Sequence, residues 1–325
     1  MATIAAPTAP ARQSAYEPRE RSPWLYVDWR SHQRWTIVDG TPINTIELSE
    51  EVADQPPLLF VHGLSGSWPN WLEQLPVFAA GRNGDSGRRP VSPGFGRRVI
   101  ALDLPGFGRS PMPAEPITIS GYARMLDALL GQLGVSAAAV VGNSMGGFVS
   151  AELAINFPQR VERLALVSPA GLSTYGDPRG LRTLARVRRI ERVVAAYAGW
   201  VAAHSDTVAQ RPGLRNAALG LIAAHPSRLP APLAAEQLRG AGKPGFVQGL
   251  AANLEYDFSH RLGEIACPTL IVWGDRDRVI TTRDAARFAE LIPGARKVVF
   301  EDTGHVAMLE RPAEFNALLS EFLSG

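Results

Sequence analysis

The sequence predicts an α/β protein in which helices cover both faces of a mostly parallel sheet. Short apolar runs typical of buried strands alternate with amphipathic helical patterns at 119–133, 146–157 and 282–291. Several of the apolar runs end at turns that carry polar side chains, and parallel strands bring such turns to one edge of a sheet. A length of 325 residues suits one large core with an insertion.

The N-terminal part of the chain begins with a predicted flexible tail. Residues 1–22 are rich in Ala, Pro and Arg and have no continuous apolar core, which indicates neither a signal peptide nor a membrane anchor. Segments 24–35 and 37–48 then predict a strand hairpin at one edge of the sheet. Residues 81–96 hold five glycines and two prolines and predict a second flexible stretch.

The most informative motif is a serine between two glycines. Residues 142–146 read Gly-Asn-Ser-Met-Gly, directly after an apolar run and directly before a helical pattern. Such a tight strand-to-helix turn strains the serine backbone and leaves no room for side chains beside it, so it needs the glycines. We therefore expect Ser144 to be a nucleophile, with the N–H of Met145 as one donor to the substrate oxyanion.

A serine hydroxyl needs a base, and His305 is the expected one. It lies on a Gly-His turn after the apolar strand 297–300 and before a final helix over 312–322. We expect four other histidines to be surface or packing residues: His32, His204, His225 and His260.

The orienting acid is expected on the loop that follows the buried strand 268–274. Asp275 and Asp277 both lie there. We favour Asp277, because Asp275 directly follows Trp273 and Gly274 and suits a turn cap. Either aspartate remains possible from the sequence.

Taken together, these motifs resemble the α/β-hydrolase-fold serine hydrolases of the capped esterase, lipase and C–C hydrolase group. The order serine, acid, histidine matches, and so do the segments 58–64, 103–110 and 304–312. The resemblance covers 24–171 and 263–325. It implies an eight-stranded, mostly parallel sheet, a second oxyanion donor at the N–H of Leu64, and a structural role for His62.

The resemblance also implies a helical cap over 172–262, inserted into a core formed by 23–171 and 263–325. About ninety residues without a convincing strand are too many for an ordinary crossover. Within this segment Arg182, Arg186 and Arg189 share a helix face. We expect a solvated face there, with an anion-attracting mouth or a membrane-surface contact as the alternative.

The expected reaction is hydrolysis of carboxylic esters with small or medium apolar acyl groups, through an acyl-enzyme. C–C bond hydrolysis of ring-cleavage products, lipase or monoacylglycerol lipase activity, and a non-enzymatic small-molecule receptor are the alternatives. Two departures from the C–C hydrolases favour the ester: the oxyanion segment 64–68 is not of their Gly-rich, Pro-containing kind, and Val306 replaces an aromatic residue. Trp68, Phe148 and Val306 are candidate pocket residues, together with Tyr175, Tyr197 and Trp200.

The composition of the chain argues against several other classes of function. A net charge of +2 does not favour a general nucleic-acid role, and no dinucleotide or zinc-binding motif is present, so we expect no cofactor and no metal. Cys267 is the single cysteine, so no intrachain disulfide can form. No apolar run has the length of a membrane span. We expect a cytoplasmic protein without stable membrane insertion whose partner is a small-molecule ester.

Overall fold

A computed structural model of the protein describes residues 22–48, 55–79, 96–189 and 191–325. The predicted tail, 1–22, lies outside these residues except for Ser22. The predicted flexible stretch, 81–96, lies outside them except for Gly96. The described residues contain the sheet, the helices on both of its faces and the candidate site.

Eight strands form one sheet. They are β1 (Gln33–Val38), β2 (Thr41–Leu48), β3 (Leu58–Val61), β4 (Val99–Leu102), β5 (Ala138–Asn143), β6 (Val161–Val167), β7 (Thr269–Gly274) and β8 (Arg296–Phe300). Their order is β1-β2-β4-β3-β5-β6-β7-β8. β2 pairs antiparallel with β1 and β4, and all other neighbours are parallel. The predicted sheet, eight-stranded and mostly parallel, is confirmed.

The N-terminal hairpin is shorter than the sequence predicts. The pattern predicts a strand over 24–35, whereas β1 begins only at Gln33. Residues Pro23–Tyr26 form a 3₁₀ turn instead, which the fixed φ of a leading proline favours. The turn to β2 is made by Asp39 and Gly40, both at positive φ, as a two-residue hairpin turn requires.

Twelve α-helices are present in the described residues. They are α1 (Leu75–Ala79), α2 (Ile119–Gln132), α3 (Met145–Asn156), α4 (Pro178–Arg189), α5 (Glu191–Ala203), α6 (Ser205–Gln210), α7 (Pro212–Leu219), α8 (Ala231–Arg239), α9 (Phe246–Glu255), α10 (Arg283–Leu291), α11 (Ala307–Glu310) and α12 (Pro312–Ser324). α2, α3 and α10 pack on one face of the sheet, and α1, α11 and α12 pack on the other.

The central strands are buried on both faces, which explains why their sequences are apolar throughout. In β3, for example, Leu59 and Val61 join the core beneath α2 and α3, and Leu58 and Phe60 join the opposite core. The sheet is therefore a rigid platform, and its loops carry the polar chemistry.

Residues 172–262, the helical insert, contain α4 to α9 and no strand within their described part. Hydrogen bonds tie the insert to loops at the carboxyl ends of the strands. The Gly245 N–H donates to the Gly106 carbonyl at 3.0 Å, and Gln237 Nε2 donates to the Pro69 carbonyl at 3.1 Å. The insert therefore lies at the edge of the sheet where the predicted site residues are.

Asp103 is a buried carboxylate that joins three parts of this edge. Its Oδ2 accepts hydrogen bonds from Asn44 Nδ2 at 2.7 Å and the Arg109 N–H at 2.8 Å. Its Oδ1 accepts from the Trp68 N–H at 2.8 Å. Gly108 is needed beside it, because a Cβ there would lie 2.1 Å from Asp103 Cγ. The carboxylate thereby fixes the loops that follow β3 and β4.

We expect Asp103→Ala to lower the free energy of unfolding by about 3 kcal/mol, because the buried Asn44 amide and two partly buried backbone N–H groups lose their acceptor. Urea denaturation of the purified protein measures the change. Glu115→Ala, at an exposed carboxylate, is the control and should change stability by no more than about 0.5 kcal/mol. Equal stability of the two variants would contradict the anchoring role.

Candidate active site

The serine motif forms a strained turn between β5 and α3. Ser144 has φ 56° and ψ −119°, and its N–H donates to the Val167 carbonyl at 3.0 Å. A Cβ on Gly142 would lie 2.4 Å from the carbonyl oxygen of Gly146, and one on Gly146 would lie 2.3 Å from that of Val61. Only glycine fits at these two positions, so the turn holds Ser144 above the ends of the strands.

The structure brings His305 and Asp277 together. His305 Nδ1 lies 2.7 Å from Asp277 Oδ2, and the two side chains are 5% and 0% exposed. Asp277 Oδ1 accepts the backbone N–H groups of Val279 and Ile280 at 2.8 and 3.0 Å. Because the carboxylate can only accept, Nδ1 of a neutral His305 carries the proton and Nε2 is the basic nitrogen.

Asp275, the other candidate acid, has a different role. Its Oδ1 accepts the Thr303 N–H at 3.2 Å, and its own N–H donates to the Phe300 carbonyl at 2.9 Å. The residue is exposed. Asp275 therefore fixes the turn between β8 and the histidine loop, and the contact with the imidazole belongs to Asp277.

The backbone of His305 is held from two sides. Its N–H donates to the Ile222 carbonyl of the helical insert at 2.8 Å. Its carbonyl accepts from Asn143 Nδ2 at 3.4 Å, and the same amide donates to the Val167 carbonyl at 3.0 Å. Asn143 precedes Ser144, so one amide connects the serine turn to the histidine loop.

Glu310 also connects the histidine loop to the insert. This buried carboxylate accepts the Gly304 N–H through Oε1 and the Ala224 N–H through Oε2, both at 2.8 Å. The sequence places Glu310 within the segment 304–312 but does not reveal its partners. A carboxylate after the apolar residues 306–309 was the available signal that it is buried and bonded.

Two backbone amides flank Ser144. Met145 is the first residue of α3, so its N–H has no acceptor within the helix. Gly63 lies against the serine turn, where a Cβ would be 2.9 Å from Ser144 Cβ, and Leu64 follows it. This placement suits the two predicted oxyanion donors, the N–H groups of Leu64 and Met145.

His62 lies close to the site but has no free ring nitrogen. Its Nε2 accepts the Leu104 N–H at 2.9 Å, so its Nδ1 carries the proton that is shared with the Gly63 carbonyl at 2.8 Å. Complete burial lowers the pKa of His62 and keeps the ring neutral. Both contacts are structural, in agreement with the role that the family resemblance implies.

Residues 56–312 match the family model described as the alpha/beta hydrolase fold. The chain belongs to the α/β-hydrolase fold family. Its relatives support a hydrolase as the class of enzyme, in agreement with the serine turn at the expected place in the sheet.

Two relatives and one solved structure illustrate the range of this family. The chain is 32% identical to a dihydrolipoyllysine-residue acetyltransferase component of the acetoin cleaving system of Cupriavidus necator, over 82% of this chain and 63% of that protein. It is 28% identical to a 2-hydroxy-6-oxononadienedioate/2-hydroxy-6-oxononatrienedioate hydrolase of Cupriavidus pinatubonensis, over 89% and 93%. A membrane phospholipase A, a bacterial virulence factor, superimposes with a TM-score of 0.64 at 27% identity, over 90% and 86%.

A cavity of about 340 Å³ separates the core of the hydrolase from its helical insert. Ser144, His305, Leu64 and Val306 are among the residues that line its core side. The insert side is mostly apolar and consists of Tyr197, Ala198, Val201, Ala217, Ala218, Leu219, Leu221, Ile222, Gln237, Leu238 and Ala241. Such a volume is typical of a small-molecule site.

Two of the predicted pocket residues lie elsewhere. Trp68 lines a neighbouring cleft, where its ring centroid lies 5.0 Å from that of Trp29 and its backbone N–H donates to Asp103. Phe148 is fully buried one turn along α3 and packs on Phe258 at 4.3 Å. Val306 lies in the cavity wall.

Of the three aromatic candidates from the insert, one lines the cavity. Tyr197 is in its wall, whereas Tyr175 and Trp200 are exposed on the outer surface.

The described ranges contain no group of His, Cys, Asp and Glu that is arranged to hold a metal ion. None of the helices in these ranges combines the length and the hydropathy of a membrane span.

We expect Asp277→Asn to slow fluorophosphonate labelling of Ser144 by about 10⁴-fold, because an amide cannot hold the productive tautomer of His305. Asp275→Asn should label at close to the wild-type rate and lose stability instead. Gel fluorescence against time gives both rates. If Asp277→Asn were labelled fast while a folded Asp275→Asn were not labelled, the roles of orienting acid and turn cap would be reversed.

Proposed function

We propose that the protein is a serine hydrolase with Ser144 as the nucleophile, His305 as the base and Asp277 as the orienting acid. Ser144 attacks the substrate carbonyl while His305 Nε2 takes its proton. The N–H groups of Leu64 and Met145 stabilise the oxyanion. His305 then returns the proton to the leaving group. A water molecule that His305 deprotonates then attacks the acyl-enzyme, the bond from Ser144 Oγ to the acyl group breaks, and His305 returns the proton to Ser144 as the acid leaves.

We infer that the substrate is a neutral carboxylic ester with a small or medium apolar acyl group. The observation that carries this inference is the charge of the cavity. Among the described residues that line it, none is Asp, Glu, Lys or Arg. A charged acyl group would lose its hydration there without gaining a counter-ion, which is strongly unfavourable. A neutral acyl chain meets mostly apolar walls.

Hydrolysis of a carbon–carbon bond is the second candidate, and the named relatives favour it. Several relatives, at 27–32% identity, are named as dienedioate hydrolases, whose substrates carry two carboxylates. In this chain both carboxylates would face a cavity wall without a cation. We therefore rank the ester first.

We expect Ser144→Ala to reduce ester turnover by about 10⁴-fold or more and to abolish fluorophosphonate labelling, since no other group supplies the attacking oxygen. Alanine fits the turn sterically, so circular dichroism should be unchanged. Ser65→Ala, in the wall of the same cavity, is the control and should remain labelled. Undiminished labelling of Ser144→Ala would remove Ser144 from the role.

The number of turnovers separates an enzyme from a receptor of the same fold. A hydrolase converts a good ester many times per molecule, and we expect this result. A single turnover, accompanied by a ligand-dependent change in the insert, would indicate the receptor.

A matched pair of substrates tests the neutral cavity. We expect kcat/KM for p-nitrophenyl hexanoate to exceed that for the mono-p-nitrophenyl ester of adipic acid by roughly tenfold or more, because only the second brings a carboxylate into the cavity. Absorbance of the released nitrophenolate gives both values. Equal values would show that the cavity accommodates an anion.

A vinylogous diketone from ring cleavage tests the hypothesis of C–C bond hydrolysis. We expect it to react far more slowly than short and medium p-nitrophenyl esters. A catalytic efficiency on the diketone above that on every ester would overturn the ester proposal and support the C–C hydrolase.

A further inference from the structure

The charges of the chain are divided unevenly between the helical insert and the rest. The insert, 172–262, contains twelve Arg or Lys residues and six Asp or Glu residues, a formal charge of +6. The whole chain carries +2, so the remainder carries −4. Such a charge distribution turns the insert toward an anionic surface.

Helix α4 concentrates the positive charge. It contains five exposed arginines and no acidic residue: Arg179, Arg182, Arg186, Arg188 and Arg189. Arg182, Arg186 and Arg189 follow one another at intervals of four and three and therefore share one face. Arg188 lies 3.9 Å from Glu255 at the surface. A row of guanidinium groups is a good partner for phosphate head groups.

Helix α5 exposes apolar side chains on one stripe. Val193, Tyr197 and Trp200 are 67%, 68% and 54% exposed and follow one another at intervals of four and three. Trp200 is stacked on His204 at 4.6 Å, which holds the indole at the surface. Aromatic and aliphatic side chains in such a stripe are stabilised at a boundary between water and lipid.

The exposed stripe reaches the opening of the cavity. Tyr197 belongs to both, and Leu221, 63% exposed, also lines the cavity that contains Ser144. The cavity therefore opens beside the apolar stripe. A molecule dissolved in a lipid layer against α5 would reach the cavity without crossing water.

We propose that the helical insert docks on anionic lipid surfaces, with the arginines of α4 on the head groups and the stripe of α5 in the outer layer of the acyl chains. The inference that esters enter the cavity from the lipid rests on the proposed function, whereas the docking does not. A nucleic acid offers the arginines similar phosphates, but its surface provides nothing for Val193 and Leu221 to contact.

Sedimentation with vesicles tests the docking. The vesicles consist of ether-linked phosphatidylcholine, with or without ether-linked phosphatidylglycerol, so they contain no carboxylic ester bond for the protein to cleave. We expect binding to the anionic vesicles and little binding to the neutral ones. Arg182→Gln/Arg186→Gln should weaken the partition constant by roughly 30-fold, since each arginine near such a surface adds about one kcal/mol. Val193→Ser/Trp200→Ser should weaken it by roughly tenfold or more.

Matched variants keep the test specific. Arg283→Gln/Arg287→Gln removes two exposed arginines with the same spacing from α10, and Trp35→Ser removes an exposed tryptophan from β1. Both should bind as the wild type does. Arg182→Lys/Arg186→Lys should retain most of the binding because the charge is retained. Thermal unfolding confirms that each variant is folded.

Equal binding of the wild type to neutral and anionic vesicles would overturn the proposal, and so would wild-type binding by Arg182→Gln/Arg186→Gln. Displacement of the protein by inorganic phosphate at constant ionic strength would also overturn it, because it would indicate a discrete anion site.

If docking is found, the Arg182→Gln/Arg186→Gln variant should hydrolyse a vesicle-borne ester more slowly relative to a water-soluble ester. Failure of both esters with intact docking would count against the proposed function alone.

Discussion

The backbone of Ser144 is the constraint on which the site depends. A non-glycine residue at φ 56° is costly, and it persists because its surroundings determine it. Gly142, Gly146 and Gly63 remove the side chains that would otherwise occupy this space. Their absence lets β5, α3 and the loop after β3 meet at one serine, beside two backbone amides.

The remaining parts of the site are fixed by buried carboxylates whose two oxygens both accept hydrogen bonds. Asp103 joins the loops after β3 and β4, and Glu310 joins the histidine loop to residue 224 of the insert. A buried carboxylate destabilises the folded protein unless hydrogen-bond donors compensate for its lost hydration. The imidazole of His305 therefore has a position that depends on the helical insert as well as on the sheet.

The sequence pattern predicted the buried strands and the serine turn, because the residues that determine them are neighbours in the chain. The strands are apolar because they are buried on both faces, and the serine turn is visible because its glycines have no substitute. Asp275 and Asp277 follow the same strand, so turn chemistry favoured Asp277, and the contact with His305 in the structure separates their roles. Trp68 illustrates a different limit. Its backbone N–H bonds to Asp103, 35 positions along the chain, and its ring packs on Trp29, contacts that no local pattern reveals.

Phe148 and the N-terminal hairpin show two further limits. α3 is buried on all sides except at Asn156, so its sequence has no polar face from which the direction of Phe148 could be read. The aromatic residues after Pro23 have the composition of a strand, yet the proline begins a 3₁₀ turn there. In both places tertiary burial and backbone geometry decided the outcome against a plausible local pattern.

A crystal structure of the protein after reaction with an alkyl phosphonate tests the roles of Ser144 and its two neighbouring amides, since the adduct mimics the tetrahedral intermediate. We expect phosphorus bound to Ser144 Oγ, one phosphonyl oxygen about 3 Å from the N–H groups of both Leu64 and Met145, and the alkyl chain in the cavity beneath Tyr197. An adduct on another residue, or a phosphonyl oxygen directed away from both amides, would contradict it.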